Sequence, residues 1–338
     1  MDPISQGVLG ATVPQAISNK KTIGAAGLFG WLSGMAPDLD ALIRSDTDPL
    51  LYLEFHRQFT HSLFFIPFGG FLCAVFFYYL LGKRWQLSFK RTYLFCTLGY
   101  ATHGLLDACT SYGTQLLWPI TNERFAWNTI SIIDPIFTLP LVILIIIASV
   151  KKQPAFAKAA LVWVLTYQCL GFYQNYRVQQ VGESIAQVRG HQPIRIEVKP
   201  SFANIVLWKV IYEVADGYYT DAVRAGLTTR IYPGQYTPKL DIERDLPWLD
   251  KTSQQAEDLE RFRWFSKDFL ALDANNPVRV MDMRYSLVPN EADGMWSIWF
   301  DKDAPKDQHV SFKADRNTSA SRQERLKKML LDNDVVSQ

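Results

Sequence analysis

Three of the five histidines in this 338-residue chain, His56, His61 and His103, lie in its apolar first half beside the carboxylates Asp38, Asp40 and Asp107. Neutral imidazole is the commonest metal ligand among side chains. Mixed imidazole and carboxylate donors suit zinc, with manganese or iron as alternatives. An ion in such a set brings the pKa of bound water towards ~7 and polarises a carbonyl or phosphoryl oxygen, which is hydrolytic chemistry.

The spacing of these residues constrains how they can meet. His103 and Asp107 stand at i and i+4 and share one face of a helix. HxxxD alone is most often a surface hydrogen bond, but burying an unpaired carboxylate in an apolar run is costly. That leaves two readings, a metal pair or a structural ion pair between helices. Asp38 and Asp40 fall in PDLD, behind Pro37, where alternate carboxylates of a loop can address one ion; the plainer alternative is a helix-capping turn. His56 and His61, five apart in HRQFTHS, would diverge by about 140° on one ideal helix. They converge only if the helix begins between them, near Thr60.

Other residues have roles open to them around this set. Arg57 is the expected contact for an anionic phosphate, unless it snorkels to head groups. Asp40 or Asp134 is the expected proton acceptor. A Ser-His-Asp arrangement through Ser62 or Ser111 lacks the GxSxG elbow. His191 and His309 have no clustered partners in the sequence and are expected at the surface.

The elements that carry these residues differ between two halves. Mean hydropathy is near zero and net charge is +2, but residues 1–175 hold nearly all the long apolar runs, whereas 176–338 are charged and rich in strand patterns. The charge balance gives no reason to expect nucleic acid. The four cysteines all lie in apolar segments and contain no CxxC, so no disulfide framework is expected. MDPISQ at the start lacks the basic region of a signal peptide.

Short Gly- and Ala-rich segments at 4–18 and 22–36 are below the ~20 residues that cross a bilayer comfortably. The charge-free run Ser62–Leu81, Ile130–Val150 with Asp134 and Pro135 near its beginning, Thr92–Ala108 and Ala155–Tyr173 read as spans. If they alternate, Lys20, Lys21, Lys83, Arg84, Lys90, Arg91, Lys151, Lys152 and Lys158 gather on one, cytoplasmic, side. The candidate ligands then fall near the opposite face. The fold class expected is a multi-pass α-helical membrane domain (1–175, with the metal site) followed by an α+β extramembrane domain (176–338). In the second half, 194–198, 206–214 and 217–223 read as strands with a turn at Asp216–Gly217. A helix is expected over 253–271, then three strands at VRVMDMRYSLV, GMWSIWF and HVSFKA, then a short helix from Ser321.

DPISQGVLGA, MAPDLD, HRQFTHS, HGLLDACTSYGTQLLWP and SIIDPIF occur in that order. On these motifs residues 1–150 resemble the membrane-bound, LexA-regulated metal-dependent hydrolases of bacterial inner membranes. They are also remotely similar to zinc-dependent phospholipase C and related nucleases. The resemblance implies a metal-dependent hydrolase acting on a membrane lipid or envelope substrate, a phosphoester first, by a metal-activated water. Asp38, His56, His61, His103 and Asp107 would be the ligands, with zinc as cofactor; Asp40, Asp134 and Arg57 would act in catalysis. The site and the second domain would face the periplasm. The rival class is a non-enzymatic envelope or stress protein whose His/Asp cluster is structural. A transporter is a weaker third, because the polar residues gather near one face rather than along the depth.

Overall fold

A computed structural model describes residues 1–315 and 318–331. The chain divides into two compact units, one of Met1–Ile43, Phe55–Tyr173 and Phe202–Asn204, the other of Arg44–Glu54, Gln174–Ser201 and Ile205 onward.

The first unit is helical. Asp2 caps α1 (Pro3–Ile17) by accepting from Ser5 N at 3.0 Å, with Pro3 in the first turn. α2 (Ile23–Met35) runs into a 3₁₀ helix, Ala36–Leu42, which holds PDLD. A short helix α3 (Leu51–Phe55) belongs to the second unit up to Glu54; from Phe55 a turn and a 3₁₀ stretch Phe59–His61 lead to α4 (Ile66–Phe77), which ends in a π-turn, Tyr78–Gly82. α5 (Phe89–Cys109) starts on a Ser88 cap, and α6 (Pro135–Lys151) on an Asp134 cap. α7 (Pro154–Val188) is the longest helix among the described residues, and its first part belongs to this unit.

α1, α2 and α5 pack backbone to backbone. A Cβ on Gly99 of α5 would stand 2.6 Å from Gly30 Cα in α2, so glycine is required at that crossing. The outer faces of several helices in this unit carry large apolar side chains in the open: Phe68, Leu72 and Phe76 on α4, and Ile136, Leu139, Ile143, Ile146 and Val150 on α6. The α6 set advances by alternate steps of three and four, which makes it a single stripe.

The expected multi-pass membrane domain is not what the fold contains. Among the described residues one helix, Pro154–Val188, is long and apolar enough to cross a membrane. Leu51–His61 and Ile66–Gly82 pass the same test only as a pair bent by 84°. The apolar run at Ser62–Leu81 is interrupted: residues 62–65 form a bend and turn, and the helix starts at Ile66, with Pro67 in its first turn. α1, α2 and α6 have 15, 13 and 17 residues, short of the ~20 a span needs. α5 has 21 but carries Lys90, Arg91, His103 and Asp107. The assignment of basic turns to one face assumed alternating spans, and it falls with them.

The second unit contains two four-stranded antiparallel sheets. The first runs β1 (Arg195–Pro200), β2 (Leu207–Glu213), β3 (Gly217–Ala225) and β4 (Thr229–Pro238) in sequence order. The short helices α8 (Ile242–Asp245) and α9 (Gln254–Phe265) follow. The second sheet is β5 (Leu270–Asp273), β6 (Asn276–Asp282), β7 (Trp296–Trp299) and β8 (Ser311–Ala314), before α10 (Ala320–Leu331). Leu259, Phe262 and Phe265 of α9 pack on Leu270, Val280 and Ile298 of this sheet, with Leu50 and Leu53 in the same core.

Two strands escape the sequence pattern. β4 is mostly exposed and includes Pro233 and Gly234, so it has no buried alternation to read. β5 sits inside the run expected to be helix to residue 271. That helix stops at Phe265 because Lys267 and Asp268 take left-handed backbone angles, φ 51° and 59°. The end of the expected second domain, 332–338, lies outside the described residues.

Candidate metal centre

One ligand atom each from Asp38, His61, His103 and Asp107 lies within 4.8 Å of all the others. His61 Nε2 and His103 Nε2 face each other at 3.0 Å. Asp38 Oδ1 is 3.3 Å from His103 Nε2 and 3.5 Å from His61 Nε2. Asp107 Oδ2 is 3.4 Å from His61 Nε2 and 3.9 Å from His103 Nε2. Donors at the corners of a tetrahedron around zinc, each ~2.1 Å from the ion, stand roughly 3.4 Å apart. All five separations lie within half an ångström of that value.

The tautomers explain why four donors can share so small a space. His103 Nδ1 lies 2.6 Å from the Gly34 carbonyl oxygen, which can only accept, so Nδ1 carries the proton and neutral His103 presents a lone pair at Nε2. The Thr60 hydroxyl donates to Asp40 Oδ2 at 2.6 Å, and its oxygen accepts from His61 Nδ1 at 2.9 Å. His61 Nδ1 also lies 3.2 Å from Asp40 Oδ2. A neutral His61 therefore also turns a lone pair to the centre. Asp107 Oδ2 is buried and accepts no hydrogen bond of good geometry among the described residues, although Arg57 Nε lies 3.0 Å away as an ion pair. Two lone-pair nitrogens and two carboxylate oxygens with no proton between them fit a cation. Without an ion the centre takes a proton instead. Burial alone would lower the His61 pKa, but the Asp107, Asp38 and Asp40 carboxylates raise it to about 10.

Each donor has a local reason for its place. Asp38 comes from the 3₁₀ helix that continues α2, and Gly34 from the last turn of α2 itself. His103 and Asp107 sit one turn apart on α5, as HxxxD requires. His61 is held by its backbone: Tyr100 OH donates to the Thr60 carbonyl at 2.9 Å, and Gly104 of α5 touches the His61 carbonyl where any Cβ would collide. The loop 115–118 ties down the same stretch, with Gln115 N donating to Arg57 O at 2.9 Å and Ser62 Oγ to Trp118 O at 2.5 Å. Asp107 Oδ1 accepts from Gln6 Nε2 at 2.8 Å and also meets the Met1 amino group. Of the four ligand side chains only Asp38 is open to solvent, at 29 %; the other three are at 0 %.

The other candidates stand outside this set. His56 directs Nδ1 to Asp40 Oδ1 at 2.8 Å, and its ring is edge-on to His61 with centroids 5.8 Å apart. The helix does not start between the two histidines; the turn at 56–58 and the 3₁₀ stretch separate them. Asp38, Asp40 and His56 also approach closely enough for an ion. Asp40, however, is already engaged: Oδ1 accepts from His56, Oδ2 accepts from Thr60 and, at 3.1 Å, from Arg57 N, and His61 Nδ1 lies 3.2 Å from Oδ2. Burial pushes the Asp40 carboxyl up, but the bonds from His56 and His61 outweigh it and hold it below the ordinary range. For Asp38, burial likewise works upward and the two histidines carry the balance downward. Burial lowers the His56 pKa despite the Asp40 bond.

Arg57 neither snorkels nor lies open to a ligand. It is buried, with Nε on Asp107, Nη1 on Thr110 Oγ1 at 3.2 Å, and the guanidinium over the Tyr112 ring at 5.4 Å. Asp134 caps α6 through Ile136 N and Phe137 N and accepts from Tyr167 OH at 2.8 Å, so its carboxylate is committed away from the centre. Gln6 is one of two amides in the apolar segment of α1, and the sequence alone does not separate it from Gln15. The Gly34 carbonyl gives no signal in the sequence.

A third group, Asp48, Asp258 and His309, lies in the second unit. A cation already occupies it: Arg261 reaches Asp48 Oδ2 at 2.8 Å, Asp258 Oδ1 at 2.9 Å and Glu54 Oε1 at 2.5 Å. It is an arginine-centred ion network, so His309 is clustered after all, without forming a metal centre.

The first unit is a helical body carrying a largely buried His₂Asp₂ constellation whose ligand atoms lie close enough to hold one ion, and α7 is long and apolar enough to cross a membrane. The chain belongs to the YdjM inner membrane protein family, whose model matches residues 1–178. It is 34 % identical to the inner membrane protein YbcI of Escherichia coli (strain K12) over 131 residues, 36 % of this chain and 73 % of that one. It is 21 % identical to the uncharacterized protein YfhP of Bacillus subtilis (strain 168) over 282 residues, 81 % of this chain and 82 % of that one. No solved structure gives a significant match. The family is described as inner membrane proteins; neither LexA regulation nor hydrolysis is part of that description.

Proposed function

We propose that the chain is a metal-dependent hydrolase of the inner membrane, acting on a lipid or envelope substrate, a phosphoester first. The observation that carries this reading is the convergence of His61 Nε2, His103 Nε2, Asp38 Oδ1 and Asp107 Oδ2 with both imidazoles held from behind in the ligating tautomer. Zinc is the ion this donor set suits best, with manganese or iron as alternatives. A bound ion would supply Lewis acidity towards a phosphoryl oxygen and a nucleophile available at neutral pH.

The chain's own groups divide the remaining work. Asp40 orients His61 and His56, in the manner of the carboxylates that stand behind ligating histidines. Arg57 balances the charge of Asp107, while Gln6 and the Met1 amino group hold Oδ1 and leave Oδ2 to face the centre. Substrate enters beside Asp38, the one ligand open to solvent. His56, 19 % exposed and backed by Asp40, lies close to Asp38 at the same edge, whereas the capping Asp134 is turned to Tyr167.

The test is turnover of bis(p-nitrophenyl) phosphate and of phosphatidic acid in mixed micelles by zinc-loaded protein. The expected result is metal-dependent hydrolysis that falls to background in His103→Ala. Equal rates from wild type and His103→Ala would overturn the reading. The observation favouring a structural centre is that four protein donors already complete a tetrahedron; stoichiometric metal without turnover of either probe would establish that instead.

A further inference from the structure

The 3₁₀ helix that supplies Asp38 has three edges, because side chains at i and i+3 eclipse one another. Pro37 and Asp40 form a buried edge, and Asp38 and Ala41 a half-buried one that meets the centre. Leu39 and Leu42 form the third, with 64 % and 79 % of their surfaces exposed. Two large aliphatic side chains thus stand in the open one and four residues after Asp38, the solvent-accessible ligand. No charged residue other than Asp38 and Asp40 occurs from Ala36 to Ile43, and the sequence turns polar at once after that, in RSDTD from Arg44 to Asp48.

We infer that the Leu39/Leu42 edge contacts the acyl chains of bilayer lipid and seats a lipid so that its head group reaches the Asp38 face of the centre. The occupant follows from what surrounds the edge. The same unit exposes Phe68, Leu72 and Phe76 on α4 and an unbroken apolar stripe on α6, and the family is one of inner membrane proteins. Exposed apolar stripes on several helices of one unit mark an interaction surface, and membership of an inner membrane family makes bilayer lipid its occupant. The inference rests on the hydrolase reading for the fate of the head group, but the acyl contact is measurable without any activity.

Leu39→Cys and Leu42→Cys, each in a Cys73→Ser/Cys169→Ser background and carrying a nitroxide, are reconstituted in phosphatidylethanolamine/phosphatidylglycerol nanodiscs. The expected result at both positions is a collision rate with oxygen that exceeds the rate with the water-soluble nickel chelate NiEDDA. The reverse order at both positions overturns the inference, whatever the enzyme does. A Leu39→Ser/Leu42→Ser variant then separates seating from folding. It should lose turnover of phosphatidic acid in vesicles while keeping that of bis(p-nitrophenyl) phosphate, and equal loss on both probes would contradict a seating role. If wild type turns over neither probe, the hydrolase reading fails, and the spin-label order alone decides the lipid contact.

Discussion

Asp40 is the most informative residue to perturb, because it supplies no atom to the four-ligand centre yet braces one ligand, His61, and its neighbour His56. Its Oδ2 receives the Thr60 hydroxyl at 2.6 Å, Arg57 N at 3.1 Å and His61 Nδ1 at 3.2 Å, and its Oδ1 receives His56 Nδ1 at 2.8 Å. In Asp40→Asn the amide oxygen takes the Oδ2 position, where three donors meet, and the amide nitrogen faces His56, which can accept by switching tautomer. His61 keeps an acceptor but loses the negative charge behind it. A charge-assisted hydrogen bond is roughly twice as strong as a neutral one, and losing a carboxylate behind a ligating histidine typically costs ~10–100-fold in metal affinity. Asp40→Asn is therefore expected near the lower figure, about 1.4 kcal/mol, and Asp40→Ala, which strips all four donors, near the upper. Competition titration of zinc against a chromophoric chelator reads the affinity, with circular dichroism in detergent to show that both variants fold. If both folded variants bind zinc as tightly as wild type, Asp40 does not position His61 and the reasoning fails.

Two further outcomes follow from the same geometry. Gly104→Ala should lower the thermal midpoint and weaken zinc binding, since its Cβ would collide with the His61 carbonyl; overpacking of this kind costs ~1–3 kcal/mol. Gly24→Ala, with open space around its Cβ, should do neither, and equal behaviour of the two would contradict the close approach. In metal-free protein, burial opposes the charge on His61 but the surrounding carboxylates raise its pKa from 6.5 to about 10. The folded value is the higher one, so this proton's stabilisation is complete below the unfolded value and lost as pH rises through the folded one. Zinc must displace that proton, so at pH 8 binding should release about one proton per ion, measured by calorimetry in two buffers of different ionisation enthalpy. Zero release would show that His61 is already neutral.

What could be read from the sequence depended on whether a residue's neighbours lie near it in the chain. HxxxD on α5 and PDLD behind Pro37 were readable, because one helix turn and one tight loop fix where their side chains go. The split between His61 and His56 was not. The choice rests on which ring Asp40 captures at Oδ1 and which it braces at Oδ2, sixteen and twenty-one residues away. Gly34, whose carbonyl sets the His103 tautomer, acts through its backbone and leaves no mark in composition. The membrane architecture is not legible in hydropathy, because averaging over Ser62–Leu81 hides the turn before Ile66, whereas a helix must also be continuous to span. β5 was lost to the helix before it because propensity alone does not reveal two successive left-handed residues at Lys267 and Asp268.

The central claim is that Asp38, His61, His103 and Asp107 hold one cation. Its most direct test is metal content by inductively coupled plasma mass spectrometry, on wild type and His103→Ala protein purified in detergent, loaded with zinc and desalted. Removing His103 takes one of the two lone-pair nitrogens from the centre. The account predicts about one zinc ion per chain in wild type and close to none in the variant. A wild type that emerges without zinc, or a His103→Ala protein that retains as much, would contradict it.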